Sequence, residues 1–196
     1  TRQSLVLETA DADANISINN ANTTGAASNI TVNSAGGSTI VSGTVAATGD
    51  YIVQGGKGIS LGGNSNVVQS AAGAVRITAA TGDVAKAGSG TLVLNSDTNA
   101  SGGDNLIISA VAGNIVLGST DLAGGTSGAP VSSVSLTANN GSVLFNGASG
   151  DAVLVAAKTG IQSDGVIKSQ QAINLTTSAA GANVTANSLE TTTIGS

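Results

Sequence analysis

The chain has no histidine, cysteine, methionine or tryptophan, and only one phenylalanine, one tyrosine and one proline among 196 residues. Without cysteine there are no disulfides and no thiolate chemistry. With histidine missing as well, the 47 serine and threonine hydroxyls have no imidazole to activate them, and nitrogen or sulfur metal ligands are lacking. The scarcity of aromatics removes the side chains that bury about 150–250 Å² each. A core must then be built from Val, Ile, Leu and Ala, which suits a narrow tube of strands better than a wide globule. Charge is sparse too: 11 acids and 6 bases give a net charge of −5 with no basic stripe, which excludes nucleic acid or an anionic membrane surface as the main partner. No apolar run approaches the roughly 20 residues needed to span a bilayer. No charged-then-apolar leader opens the chain at Thr1, so an exported protein would contain these residues as a mature or internal fragment.

What the chain has is repetition. One short phrase, an apolar residue, small polar residues, then Gly and a β-branched residue, occurs five times: ITAATGDV from Ile77, ISAVAGNI from Ile108, LTANNGSV from Leu136, VAAKTGI from Val155 and LTTSAAGANV from Leu175. The leading residues are 31, 28, 19 and 20 positions apart. A period near twenty with two insertions is the mark of a solenoid, whose units bury their apolar faces only by stacking. Gly, Ser, Thr and Asn dominate, yet charged residues are only 9% and mean hydropathy is +0.28. That composition argues against disorder.

Period-two alternation marks strands at NISINN (Ile16, Ile18), NITVNS (Ile30, Val32), GISLGG (Ile59, Leu61), AVRITA (Val75, Ile77), VSLTA (Val134, Leu136) and AINLTT (Ile173, Leu175). No window supports a helix, because Gly interrupts nearly every one. Gly82, Gly113, Gly141, Gly160 and Gly181 each follow a strand and are expected to bend the chain through positive φ. A β-sandwich is the structural competitor, but tight Asn-Gly turns such as Asn140-Gly141 are scarce and a sandwich has no reason to repeat.

The expected architecture is therefore all-β, a parallel β-helix solenoid of about 20 residues per coil. Residues 1–196 form one segment of a larger protein, with irregular coils over 1–56 and regular repeats over 57–196. Loops are inserted at 95–104 and 120–133. The period predicts nine or ten coils and a rod on the order of 45 Å long. Neither Thr1–Leu7 nor Thr191–Ser196 reads as a cap.

The stretch Leu136 to Leu189, LTANNGSVLFNGASGDAVLVAAKTGIQSDGVIKSQQAINLTTSAAGANVTANSL, resembles the repeats of filamentous haemagglutinin-type adhesins and autotransporter passenger domains. The resemblance implies a right-handed parallel β-helix in a secreted or cell-surface bacterial protein acting in attachment.

Candidate chemistry is thin. Asp11, Asp13 and Asn15 have the alternate oxygens that open a calcium loop, without its Gly at the sixth position or acid at the twelfth; a solvated turn is the plainer reading. GGKGIS (Gly55 to Ser60) lacks the Gly-Lys-Ser/Thr order of a phosphate loop. Asp50, Asp83, Asp97, Asp104, Asp121, Asp151 and Asp164 are scattered, though stacking could pair Asp83 with a neighbouring coil's acid. Sequons stand at Asn15, Asn22, Asn29, Asn99, Asn140, Asn174 and Asn183, barely more than chance.

The expectation is a structural stalk or adhesive rod with no cofactor and no enzymatic activity. It would contact a host or neighbouring-cell surface, protein or glycan, through loop residues Asn95, Asp97, Asn99, Asp104, Asp121 and Pro130. The alternatives are a polysaccharide-active β-helix enzyme and a self-assembling filament or surface-layer subunit joined end to end.

Overall fold

The computed structural model describes residues 3–126 and 129–192. Every regular element among them is a strand. The chain winds as a solenoid of about 8 turns, and three faces run along it. The first stacks Leu5–Thr9, Ile30–Ser34, Tyr51–Gly55, Val75–Ala79, Leu106–Ala110, Val134–Ala138, then residues 153–157 and 173–177. The second stacks Ile16–Ile18, Thr39–Val41, Ile59–Leu61 and Val84–Lys86, then residues 115–117, 143–145, 161–163 and 184–186. The third runs from Ala21–Asn22 through Val45–Ala47, Val67–Ala71 and Leu92–Ser96 to residues 120–124, 147–149, 167–169 and 189–191. All these pairings are parallel.

The repeated phrase maps onto one stretch of coil. In ITAATGDV, Ile77 and Ala79 are the third and fifth residues of a first-face strand and point inward, while Thr78 points out. Thr81 and Gly82 turn the corner, and Val84 is the first inward residue of the second face. The fifth position is small in every coil: Thr9, Ser34, Gly55, Ala79, Ala110, Ala138, Ala157 and Thr177. Space at this corner is short; a Cβ added at Gly55 would lie 2.9 Å from the Ile59 side chain.

Coil lengths, read from the first-face register, are 25, 21, 24, 31, 28, 19 and 20 residues. The last four reproduce the spacing of the phrases. The mean is about 24 residues per turn and the count about 8, against the expected twenty and nine or ten; the short coils near the C-terminus are not the common unit. Parallel pairing sets register on each face but leaves corner length free, and loop entropy grows only slowly with length. The same freedom accounts for residues 1–56, expected as irregular. From Leu5 on they keep the three-face register, and the variation lies in the corners. Seven inter-coil steps of about 4.8 Å make a stack about 34 Å tall.

The insertions begin later than expected. Asn95 and Ser96 complete a third-face strand, so the first loop runs over residues 97–105. Residues 120–124 pair with Leu92–Ser96, so the second excursion runs over 125–133. It contains the one antiparallel pairing among the described residues, Gly125 with Pro130 and Thr126 with Ala129. Ser127, Gly128 and the terminal stretches Thr1–Arg2 and Thr193–Ser196 lie outside the described residues.

The corner glycines are needed for a different reason from the one expected. Of the five, only Gly181 has positive φ, at 75°. At Gly82, Gly113 and Gly141 a Cβ would strike a backbone carbonyl of the coil below, that of Lys57, Gly82 and Gly113 respectively. Close approach between coils, not left-handed backbone, excludes a side chain there. The tight pairs Asn140-Gly141, Asn146-Gly147 and Asp164-Gly165 all turn corners between parallel strands and form no hairpin.

The core is one aliphatic column of inward Ile, Val, Leu and Ala, each large side chain worth about 1.5–3 kcal/mol on burial. Both aromatics join it: Tyr51 and Phe145 are fully buried. Tyr51 donates from its hydroxyl to Gln69 Oε1 (3.2 Å), and Gln69 Nε2 donates to the carbonyls of Val41 (3.1 Å) and Gly43 (3.4 Å). Burial pushes the Tyr51 hydroxyl well above its ordinary pKa, so it remains a donor. Tyr51→Phe, which strands the amide oxygen, is expected to cost about 1–2 kcal/mol in urea unfolding.

Asparagine and aspartate tie the corners. Immediately before a strand, an Asx side-chain Oδ1 accepts the backbone N–H of the matching residue in the next coil: Asn15 from Ser38, Asn20 from Thr44, Asn29 from Asp50 and Asp50 from Ala74. The series continues with Asn66 from Thr91, Asp83 from Asn114, Asn105 from Ser133 and Asn114 from Ser142. These bonds span 2.6–2.9 Å and occur at all three corners. They occupy backbone donors that the corner would otherwise leave unpaired.

Candidate functional site

Outward residues of the third face, at coils four to seven, frame the largest hollow among those described, about 680 Å³. Asn95, Asp121, Asn146, Ser149, Lys168 and Gln170 line it, and Ala123 and Gly147 form a flat floor between them. A Cβ at Gly147 would sit 2.6 Å from the Val166 carbonyl oxygen, so close packing of successive coils keeps the floor bare. Lys168 Nζ lies 3.3 Å from Glu190 Oε2 with both side chains about half exposed (56% and 48%), a pair that water screens to little net energy. The lining offers amides, a hydroxyl, a carboxylate and an ammonium. Such a set can hydrogen-bond an elongated polar partner, and it holds no nucleophile paired with a base.

The expected contact residues divide. Asn95 and Asp121 stand on strands, as the rungs that line this hollow. Asn99 and Asp104 lie on the first loop and share a second hollow of about 330 Å³ with Asn29 and Asp50 at the corner between the third and first faces. Pro130 pairs through its backbone position with Gly125 in the second excursion.

Asp97 is buried and serves the fold instead. Its carboxylate accepts from Ser101 N (2.8 Å), Ser101 Oγ (3.1 Å), Gly102 N (2.9 Å) and Ser132 Oγ (2.6 Å), which joins the two inserted segments. Burial works to raise its pKa, but the hydrogen bonds from Ser132, Ser101 and Gly102 outweigh it and hold the carboxyl below its usual value.

The other acids are mostly occupied. Asp13 forms an ion pair with Lys57 of a later coil, and the Lys57 hydrogen bond and charge lower its pKa. Asn15 is committed to the Ser38 amide, as Asp13 is to Lys57, so two of the three calcium candidates are engaged elsewhere, and the Asp11 backbone carbonyl accepts the Ala14 N–H in the same turn. Among the described residues no group of three His, Cys, Asp or Glu side chains is placed to hold a metal ion. Asp83 stacks between Gly58 and Asn114, not beside another acid. Asp151 accepts from Gln171 (2.6 Å) and Asp164 from Gln162 (2.7 Å).

Sequence reasoning missed Lys168 and the buried Tyr51–Gln69 pair. Gln69 did carry a signal, as a polar residue two positions after the inward Val67. Among the described residues no helix is long and apolar enough to cross a membrane. No protein-family model, curated protein or solved structure matches the chain.

Proposed function

We propose that this chain is a length-setting stalk of an exported bacterial surface protein, with the third-face hollow around Asp121 as its contact surface for a host or neighbouring cell. The observation that carries the reading is the use of the acidic and amide side chains. Corner Asn and Asp are spent on coil-to-coil bonds, which favours a molecule whose main product is stacked height. Asn95, Asp121 and Ser149 make no side-chain hydrogen bond among the described residues and remain available to a partner.

Beads coated with the chain should be retained on an epithelial monolayer. Retention should fall several-fold for beads carrying Asn95→Arg/Asp121→Arg/Ser149→Arg, whose outward positions leave folding intact. Equal retention of both coatings, or no retention above bare beads, removes the adhesive role.

One observation favours a second reading, polysaccharide cleavage: Asp50 and Asp104 line the same hollow. Incubation with polygalacturonate is expected to release no reducing ends. Release that disappears on Asp50→Asn/Asp104→Asn would replace the stalk reading with the enzyme.

A further inference from the structure

Asp97 is the one fully buried acid among the described residues, and no lysine or arginine among them pairs with it or with Asp104 on the same loop. A carboxylate taken out of water needs compensation, and buried charges in proteins are either paired or hold a metal. All four groups that bond Asp97 are neutral.

Hydrogens are also too few for the oxygens gathered there. Ser101 Oγ lies 3.1 Å from both Asp97 Oδ1 and Asp104 Oδ2, yet it has one proton to give. The Ser101 N–H is likewise shared, between Asp97 Oδ1 (2.8 Å) and Asn99 Oδ1 (3.2 Å). A separate sign comes from the strand that enters the loop. The Ser96 hydroxyl is fully buried and has no partner among the described residues. Its register partner in the next coil is Gly124, where a Cβ would strike the Ser132 carbonyl, so Ser96 is aimed into the space beneath Ser132. The Ser132 hydroxyl closes on Asp97 Oδ2 (2.6 Å) from the same space.

We propose that residues 96–104 hold a calcium ion, with Asp97, Asn99, Ser101 and Asp104 supplying side-chain oxygens and the buried Ser96 hydroxyl lying on the inner flank. Asp97, Asn99 and Ser101 stand at the first, third and fifth places of a calcium loop, and Gly102, with φ of 82°, fills the sixth, which must be glycine for the sharp turn. The Asp11 stretch lacks that glycine. The twelfth place is the buried Ile108, so the second carboxylate comes from Asp104. Oxygens that share a calcium at about 2.3–2.6 Å stand about 3 Å from one another, which is the separation of Ser101 Oγ from both carboxylates. Asn99 and Ser101 are exposed, which opens the outer side to water for completing a sphere of about six to eight oxygens. Two carboxylates make a weak site, with a dissociation constant of roughly 10⁻⁴–10⁻³ M. The site depends on this loop alone and stands or falls separately from the surface-protein reading.

Calcium chloride titrated into chelator-stripped protein in a calorimeter should reveal one saturable site per chain. Magnesium should bind at least about tenfold more weakly, because it demands octahedral geometry and sheds water reluctantly. The urea midpoint should rise in about 10 mM calcium, since the ion binds only the folded loop. Asp104→Asn and Asn99→Ala lie outside the Asp97–Ser132 tie, so each should keep the calcium-free midpoint and weaken calcium binding at least about tenfold. Asp164→Asn, which alters an exposed acid on a distant coil, should bind as the unmodified chain does. No saturable heat up to about 10 mM calcium, equal affinity for magnesium, undiminished binding by Asp104→Asn and Asn99→Ala, or equal weakening by Asp164→Asn overturns the proposal.

Discussion

Asp97→Ala is expected to destabilise the protein by about 3 kcal/mol, read as a lower urea midpoint at neutral pH. The carboxylate gathers four donors from Ser101, Gly102 and Ser132; Gly102 N and Ser132 Oγ lose this acceptor outright, while Ser101 keeps only its bonds to Asn99 and Asp104. Ser132 belongs to the second excursion, so the loss also unties two segments 35 residues apart in sequence. Asp97→Asn keeps one acceptor oxygen and should cost about half as much. The pH dependence has a definite sign. Because the folded-state pKa is depressed, stability from this group is fully present above the unfolded-state value of about 3.9 and is lost as pH falls through the folded-state pKa. Wild type should therefore lose stability more steeply than Asp97→Asn below about pH 4. Parallel acid titrations of the two proteins would refute the assignment.

Gly113→Ala should cost about 3 kcal/mol or more, although it adds one methyl group. That methyl would strike the Gly82 carbonyl and lie 2.6 Å from Asp83 Oδ1, atoms of the coil beneath, and relief requires the coils to separate at that corner. Asp83 is also a ladder acceptor for Asn114, so separation would break a second tie. Gly118→Ala is the matched control: a Cβ there meets nothing within 4 Å, and the residue does not have positive φ. It should change stability by no more than about 0.5 kcal/mol. Equal losses at the two sites would show that the corner tolerates a side chain.

These two residues also mark how far the sequence could be read. The phrase led by Ile77, Ile108, Leu136, Val155 and Leu175 was legible because inward positions on a parallel face stack like on like, and the register joins those five residues in one column. Gly113 was legible as a corner, but not why it must be glycine, since its constraint is an atom 31 residues earlier. Asp97 reads in the sequence as one more polar residue among turn formers, and only the meeting of two excursions buries it. The Asx ladder left a trace in Asn15-Ile16, Asn29-Ile30, Asp50-Tyr51, Asn105-Leu106 and Asn114-Ile115, an acceptor before each strand. Its partners could not be named until the lengths of the corners were known. For the candidate site, Asn95 and Asp121 read as loop residues in the sequence; the structure instead places them on adjacent strands, two register positions apart, with Val93 opposite Asp121 and Ala123 opposite Asn95. Lys168 joins them only because third-face steps of 28, 26 and 19 residues carry the column from Asn95 through Ala123 and Ser149 to Lys168.

The corner ladder has an arrow. In each Asx bond the acceptor belongs to the earlier coil and the donor to the later one. The corner donors of a coil therefore find their side-chain acceptors already set out by chain made before it, while the backbone ladder also runs the other way, with Leu5, Ile30 and Tyr51 donating to carbonyls of the following coil. For a polypeptide emerging from a ribosome or a translocation pore amino end first, each finished coil is a seat for the next, and winding can keep pace with arrival.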